Sequence, residues 1–260
     1  MTSNAIELKN HGFTLFDQVF ETPYIDELSS AIDHSYEVCR KVQLANGVEQ
    51  VTDGTVHHLL ATGNSIYVDL LEKICSSGLN NFIQSFFHGK YILNSYGGVI
   101  NLTAKPSYVA NIHRDIRFFT GDFPLMINML IMLDDFTLEN GATYLLKGSH
   151  KLESKPSKEV FYEKSSRAIG KRGDVLFFDS NMWHAAGLNT TSKKRRAFTI
   201  TFTKPFMKQQ LDYSRAIGYD QVNAMNEEVK QIIGYYSRTP TNLEEWYQNP
   251  DDRFYRPGQD

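Results

Sequence analysis

The stretch Asn111-Ile112-His113-Arg114-Asp115 sets an imidazole and a carboxylate two residues apart. In an extended strand, side chains at that spacing emerge on the same side. His113 and Asp115 can therefore reach one metal ion, and a third ligand has to come from elsewhere in the chain. His184, in Asn181-Met182-Trp183-His184-Ala185-Ala186-Gly187, follows the apolar run Asp174-Val175-Leu176-Phe177-Phe178 and is the candidate. Two histidines and one carboxylate on one face of an ion make the facial triad of non-haem Fe(II) oxygenases, which leaves positions open for substrate and dioxygen.

These ligands need a rigid scaffold, and from Tyr91 onward the chain reads as short strands separated by turn signals. They are expected at 91–94, 99–103, 107–113, 125–133, 142–146, 174–178 and 197–203, a pattern of sandwiches and barrels. The last alternates cleanly, with Phe198, Ile200 and Phe202 on one face and Thr199, Thr201 and Thr203 on the other. Asn140-Gly141 is a tight-turn signal between two strands. Residues 147–172 are polar and lysine-rich, an expected surface excursion. Ahead of this region, Gly12 to Phe16 reads as a short strand. Thr22-Pro23 then reads as an N-cap with proline at the first helical position, followed by an apolar stripe through Ile25, Leu28, Ile32, Tyr36 and Cys39. A polar loop at 46–58 carries His57-His58. A second helical region spans 65–87, interrupted at Gly78. Helical character returns at 221–236, and Thr241 with Glu244 reads as a capping box before Trp246.

With 260 residues, 41% hydrophobic and 22% charged, the chain can bury one sizeable core. It reads as a single domain over 1–260, with an N-terminal helical region at about 22–88, a β core at about 91–205 and a C-terminal helical extension at about 206–260. A net charge of -3 gives no sign of a nucleic-acid or membrane-surface partner. The N-terminal residues show no signal-peptide pattern. The longest apolar run, Leu125 to Leu133, is broken by Asn128 and is too short to span a bilayer. Cys39 and Cys75, the two cysteines, read as reduced thiols in helices, and the location expected is cytoplasmic.

The ordered set of motifs resembles the phytanoyl-CoA dioxygenase-like family of Fe(II)/2-oxoglutarate oxygenases. The matching stretches are His113-Arg114-Asp115; Leu133 to Thr143, running on into Lys147-Gly148-Ser149-His150-Lys151; Gly173 to Phe178; and His184 through Gly187 and Asn189 to Arg195. Gly12-Phe13-Thr14 resembles the family's opening strand. The resemblance implies a mainly β fold with flanking helices, a double-stranded β-helix of jelly-roll or cupin-like type. It implies His113, Asp115 and His184 as iron ligands and Arg195 as the partner of the distal carboxylate of 2-oxoglutarate. A small dicarboxylate inside such a scaffold needs a fixed cation that stays protonated, which suits arginine. Arg196 competes for that role, but in a strand it points to the opposite face. Thr143 is a second candidate contact to 2-oxoglutarate. The implied cofactors are Fe(II), 2-oxoglutarate and dioxygen. The implied reaction is hydroxylation of an unactivated C–H bond of a small molecule, with release of succinate and carbon dioxide. Relatives that halogenate lack the carboxylate ligand, so an intact Asp115 favours hydroxylation, while desaturation, epoxidation and ring formation use the same iron set.

Simpler readings compete residue by residue. Lys193 to Arg196 could be a solvated basic run, His57-His58 surface residues, and His150 a structural histidine at a turn. Arg114, Arg117, Tyr96, Trp183 and Asn181 flank the expected metal, and the two arginines would suit an anionic substrate. One competing reading of the whole chain is a metal-dependent isomerase or hydrolase on a cupin-like barrel, which would not need Arg195; another is a non-catalytic or redox-neutral barrel that binds a metal or ligand without turning over dioxygen. Its signature would be loss of the carboxylate or of the cofactor arginine, and both are present.

Overall fold

Strands form where β-branched and aromatic residues can be covered on both sides, and helices where an apolar stripe faces them. The computed structural model describes residues 2–103 and 108–259. The chain runs through α1 (Ser3–His11), β1 (Phe13–Phe16), α2 (Thr22–Ala45), β2 (Thr55–His57), α3 (Ile66–Cys75), α4 (Gly78–Phe87), β3 (Ile92–Asn101) and β4 (Met126–Met132). It continues through β5 (Tyr144–Leu145), α5 (Lys158–Lys164), β6 (Ser166–Arg167), β7 (Val175–Asp179), β8 (His184–Ala185) and β9 (Arg195–Thr203). Four short helices follow: α6 (Tyr213–Ile217), α7 (Tyr219–Asn223), α8 (Glu227–Ile232) and α9 (Leu243–Trp246). No described helix is long and apolar enough to cross a membrane.

The described residues form two compact units. One comprises the chain up to His57 together with Gly97–Thr199, the other His58–Tyr96 together with the chain from Ile200 onward. A large sheet has the order β1-β7-β4-β9-β3-β2, and a small one has the order β6-β5-β8. An isolated antiparallel bridge between His113 and His184 extends the small sheet beyond β8. Leu130 and Met132 of β4, Leu176 and Phe178 of β7, and Ala197 of β9 share one buried cluster with Leu145 of β5. The sheets thus pack face to face as the halves of a double-stranded β-helix. The outer face of the small sheet is covered where Phe161 of α5 meets Ile112, Trp183 and Ala185. On the outer face of the large sheet, a Cβ added at Gly98 would lie 3.0 Å from Ile32 Cδ1 of α2. Arg196 points to that same side, where it binds Asp134 through Nη2 at 2.7 Å and Asp33 of α2 through Nη1 at 3.0 Å.

In the second unit α3 packs on α4 and α8. Tyr67, Leu70, Leu71 and Ile74 of α3 are fully buried. Tyr96 is fully buried too, and its hydroxyl donates to the Tyr67 carbonyl at 2.7 Å. Tyr96 is therefore scaffold and not a substrate contact.

Several sequence expectations shift. The strands expected at 91–94 and 99–103 are one strand, because Gly97 and Gly98 do not break it. They let β2 come close: a Cβ at Gly97 would stand 2.2 Å from the Val56 carbonyl oxygen. The strand expected at 107–113 begins at Ser107, outside the described residues. Its remainder is a 3-10 turn, Tyr108–Ala110, followed by the single bridge at His113. There the Asn111 side chain donates to the Tyr108 carbonyl at 3.0 Å, a local bond that competes with strand pairing. The helix expected at 221–236 is split, with Asn226 starting a new helix by capping Val229 N–H. The last capping box is shifted by one residue: Asn242 caps Glu245 N–H, and Glu245 accepts from Thr241 N–H. Likewise α2 starts at Thr22 with Glu21 as its cap and Pro23 in its first turn. The 147–172 excursion carries α5.

Replacing Arg196 by alanine removes two of the three bonds that this residue donates to the half-buried Asp134 carboxylate and keeps only the one from the backbone N–H. The expected loss is about 1–3 kcal/mol, read from the urea midpoint. An unchanged midpoint would mean that solvent screens the pair.

Candidate active site

His113 and His184 exchange both backbone hydrogen bonds, His113 N–H to His184 O at 3.0 Å and His184 N–H to His113 O at 2.9 Å. Such a pair puts the two side chains on the same face of the sheet. Their ring centroids are 4.2 Å apart. Each ring offers Nδ1 to a backbone carbonyl, His113 to Asn111 O at 2.7 Å and His184 to Met182 O at 3.0 Å. Donation there fixes the tautomer and leaves both Nε2 lone pairs free. Asp115, beyond a bend, meets both of them: Oδ1 lies 3.4 Å from His113 Nε2 and Oδ2 lies 3.7 Å from His184 Nε2.

One ligand atom from each of the three residues falls within 4.8 Å of the others. Ligands on one face of an octahedral ion with bonds of about 2.1 Å sit about 3 Å apart. Small rotations would close the set on a divalent metal. The site is open on one side, with the His113 and Asp115 side chains 31% and 32% exposed and that of His184 only 8%.

Electrostatics act differently on the three groups. Burial pushes the His184 pKa below the ordinary imidazole value, so the ring is neutral. Desolvation opposes the Asp115 charge, but His184, His113 and the Asn128 amide outweigh it and hold its pKa below the usual carboxylate value. For His113, burial is overcome by the hydrogen bond and charge of Asp115, and its pKa rises.

Arg195 opens β9 on the inner face, only 2% exposed. Its Nη2 donates to Gly141 O at 3.1 Å, and its guanidinium carbon stands 4.1 Å from the Phe136 ring centroid. Its Nε is buried without a hydrogen-bond partner. Burial draws its pKa down to about 10, so it remains charged at neutral pH. An interior cation with an unfilled donor calls for an anion. Thr143 is buried two residues past Gly141 on the same polypeptide segment. Arg195 and Arg196 face opposite ways, as the strand alternation requires.

The flanking residues sort differently from the expectation. Arg114 stacks on Trp183 at 4.7 Å and donates to Glu153 O at 2.7 Å. It lies on the outer face of the small sheet, because alternation turns it away from His113. Asn181 exchanges bonds with Thr120 and braces the segment after Asp115. His150 binds the Lys9 carbonyl at 3.1 Å, a structural role. His57 is exposed with its Nε2 3.4 Å from the Tyr108 hydroxyl, and His58 Nδ1 lies 3.0 Å from the Tyr213 hydroxyl. Asn128 was missed as a site residue. It donates to Ser180 at 2.9 Å and supports Asp115. An amide inside the seven-residue buried strand β4 was the available signal, since a buried amide requires partners.

A metal that binds only the folded protein stabilises it. At a hundred times its dissociation constant the gain is about 2.7 kcal/mol. Fe(II) added anaerobically is expected to raise the melting temperature of the wild type and not that of Asp115→Ala; equal shifts would place the metal elsewhere.

Asp179, at the end of β7 ahead of the His184 turn, is pushed up to about 6 by burial against the bonds from Asn181. A raised carboxyl pKa contributes stability below the unfolded value and loses it as pH rises through the folded one. Asp179→Asn is therefore expected to stabilise the fold above pH 6, with the gain vanishing near the unfolded pKa of about 3.9. Thermal unfolding across that range checks it; a pH-independent difference would contradict it.

The phytanoyl-CoA dioxygenase (PhyH) family model matches residues 8–197. The uncharacterized protein Rv1501 of Mycobacterium tuberculosis is 40% identical over 147 residues, 56% of this chain and 54% of its own. The iron/alpha-ketoglutarate-dependent dioxygenase penM of Penicillium thymicola is 35% identical over 209 residues, 75% of this chain and 65% of its own. This chain thus spans about half the length of Rv1501 and somewhat more of penM. Among solved structures, AviO1 from Streptomyces viridochromogenes Tue57 matches with a TM-score of 0.59 at 18% identity, over 79% of this chain and 96% of its own. That likeness is one of fold.

Proposed function

Since this chain belongs to the phytanoyl-CoA dioxygenase family, we propose that it is an Fe(II)/2-oxoglutarate-dependent dioxygenase that hydroxylates an unactivated C–H bond of a small molecule. The observation that carries this reading is the convergence of His113, Asp115 and His184 within 4.8 Å. The donor set fits Fe(II), because two imidazole nitrogens and one carboxylate leave an open face. The unfilled Arg195 Nε fits a second anion inside the fold. The chemistry that iron and 2-oxoglutarate supply when bound is activation of dioxygen, driven by oxidative decarboxylation to succinate and carbon dioxide.

The remaining work falls to the protein's own side chains. His113 and His184 present Nε2 because their Nδ1 protons are donated to Asn111 and Met182. Asp115 supplies the negative charge that offsets part of a divalent ion. Arg195 would anchor the distal carboxylate of the co-substrate, and the buried Thr143 would offer it a hydroxyl. Phe178, its ring 4.8 Å from that of His184, packs an apolar face against the inner side of the set. An anionic substrate would rest on Arg117, which is exposed, and on Lys155, whose charge acts on His113, and not on Arg114.

Anaerobic titration with Fe(II) and then 2-oxoglutarate tests the reading. A weak visible charge-transfer band is expected in the wild type and absent in His184→Ala, followed by succinate release when substrates are screened in air. Iron binding without the band would overturn it.

A further inference from the structure

Eleven positions separate the innermost metal-ligand candidate, His184, from Arg195. The connecting loop is held by side-chain amides beside backbone bonds from Ala186 N–H to Val109 O at 2.8 Å and from Thr190 N–H to Glu139 O at 2.8 Å. Asn189 is fully buried and Asn101 is 6% exposed. The Asn189 amide nitrogen donates to Asn101 O at 2.9 Å and to Lys193 O at 2.7 Å. Its oxygen accepts from Thr191 N–H at 3.0 Å and from the Thr191 hydroxyl at 2.7 Å. This satisfies both ends of the amide and dictates its orientation. The Asn101 amide in turn donates to Gly187 O at 2.9 Å and to Asn140 O at 3.4 Å.

The network closes on the turn that receives Arg195. Gly141 O accepts from Gly187 N–H at 3.2 Å and from Arg195 Nη2 at 3.1 Å. Gly141 has φ +80°, and a Cβ there would fall 2.3 Å from Gly187 O. The backbone just past His184 and the guanidinium of Arg195 are therefore tied to one carbonyl, and Asn189 with Asn101 holds the loop between them. A ligand that bridges metal and guanidinium senses the span between those two points, whereas the metal alone senses only His113, Asp115 and His184.

We infer that Asn189 is a positioning residue for the co-substrate, with Asn101 as its partner: together they set the distance between the metal ligands and Arg195. The inference rests on the function proposed above. It separates affinity for a bridging dicarboxylate from affinity for the metal, a split that general loss of structure does not produce.

The test uses Asn189→Ser, which removes the donations to Asn101 and Lys193 without burying a charge, and Asn101→Ala as a second variant in case the first folds poorly. Fe(II) affinity is read from thermal stabilisation. Binding of 2-oxoglutarate, and of pyruvate, a 2-oxo acid without the distal carboxylate, is read from the charge-transfer band under anaerobic conditions. Misplacing a contact by about 1 Å can cost a hundredfold. The expected result is 2-oxoglutarate affinity lowered about ten- to a hundredfold, with Fe(II) and pyruvate affinities within about twofold of the wild type. Unchanged 2-oxoglutarate affinity, or equal losses for all three probes, would overturn the inference. Absence of a band in the wild type would overturn the proposed function instead, so the two failures are distinguishable.

Discussion

The site depends on one backbone pair. The two hydrogen bonds exchanged by His113 and His184 set both imidazoles on the inner face of the small sheet. A slip of one residue would put Ile112 or Trp183 inward and the histidine outward, because strand side chains alternate strictly. The outer cluster of Ile112, Trp183, Ala185 and Phe161 opposes that slip by burying the intervening residues. Packing on one face of the sheet thus protects the chemistry on the other. Arg114 belongs to the same arrangement: it stacks on Trp183 and ties the segment between the ligands to Glu153.

Polar groups inside an apolar shell cost free energy unless they are paired. Asn128, Asn101 and Asn189 answer that demand with complete or nearly complete partners, and each braces a segment that carries a site residue. Arg195 is less fully paired than these amides. It has one carbonyl partner, an aromatic face and a buried, unfilled Nε. The unfilled Arg195 donor on the inner face is the physical ground on which the co-substrate proposal stands. Arg196, one position on, has its carboxylate partners supplied by the fold.

The connections matter as much as the strands. The Asn140-Gly141 turn, legible as a tight turn, also receives Arg195 and Gly187, a role that depends on the left-handed backbone of Gly141. The segment before His113, which by composition resembles a strand, is a 3-10 turn and a bridge. Its backbone groups are claimed by Asn111 and by single bonds to the chain around His184.

The sequence by itself determined what is local. The His-x-Asp spacing, the opposed directions of Arg195 and Arg196, the alternation along 197–203, and the turn at Asn140-Gly141 all follow from backbone periodicity and residue type. Most strands could be located the same way, with errors where glycine permitted close approach or where asparagine supplied a competing bond. Only the tertiary structure decided which remote segments meet: that His184 pairs with His113, that Arg114 turns outward and Tyr96 is sealed in, and that the buried amides of Asn128 and Asn189 find their partners. Period and propensity are properties of a short stretch of backbone. Pairing, burial and the partners of a buried amide are set by residues far away in the chain, and these come together only when the two sheets close on a common core.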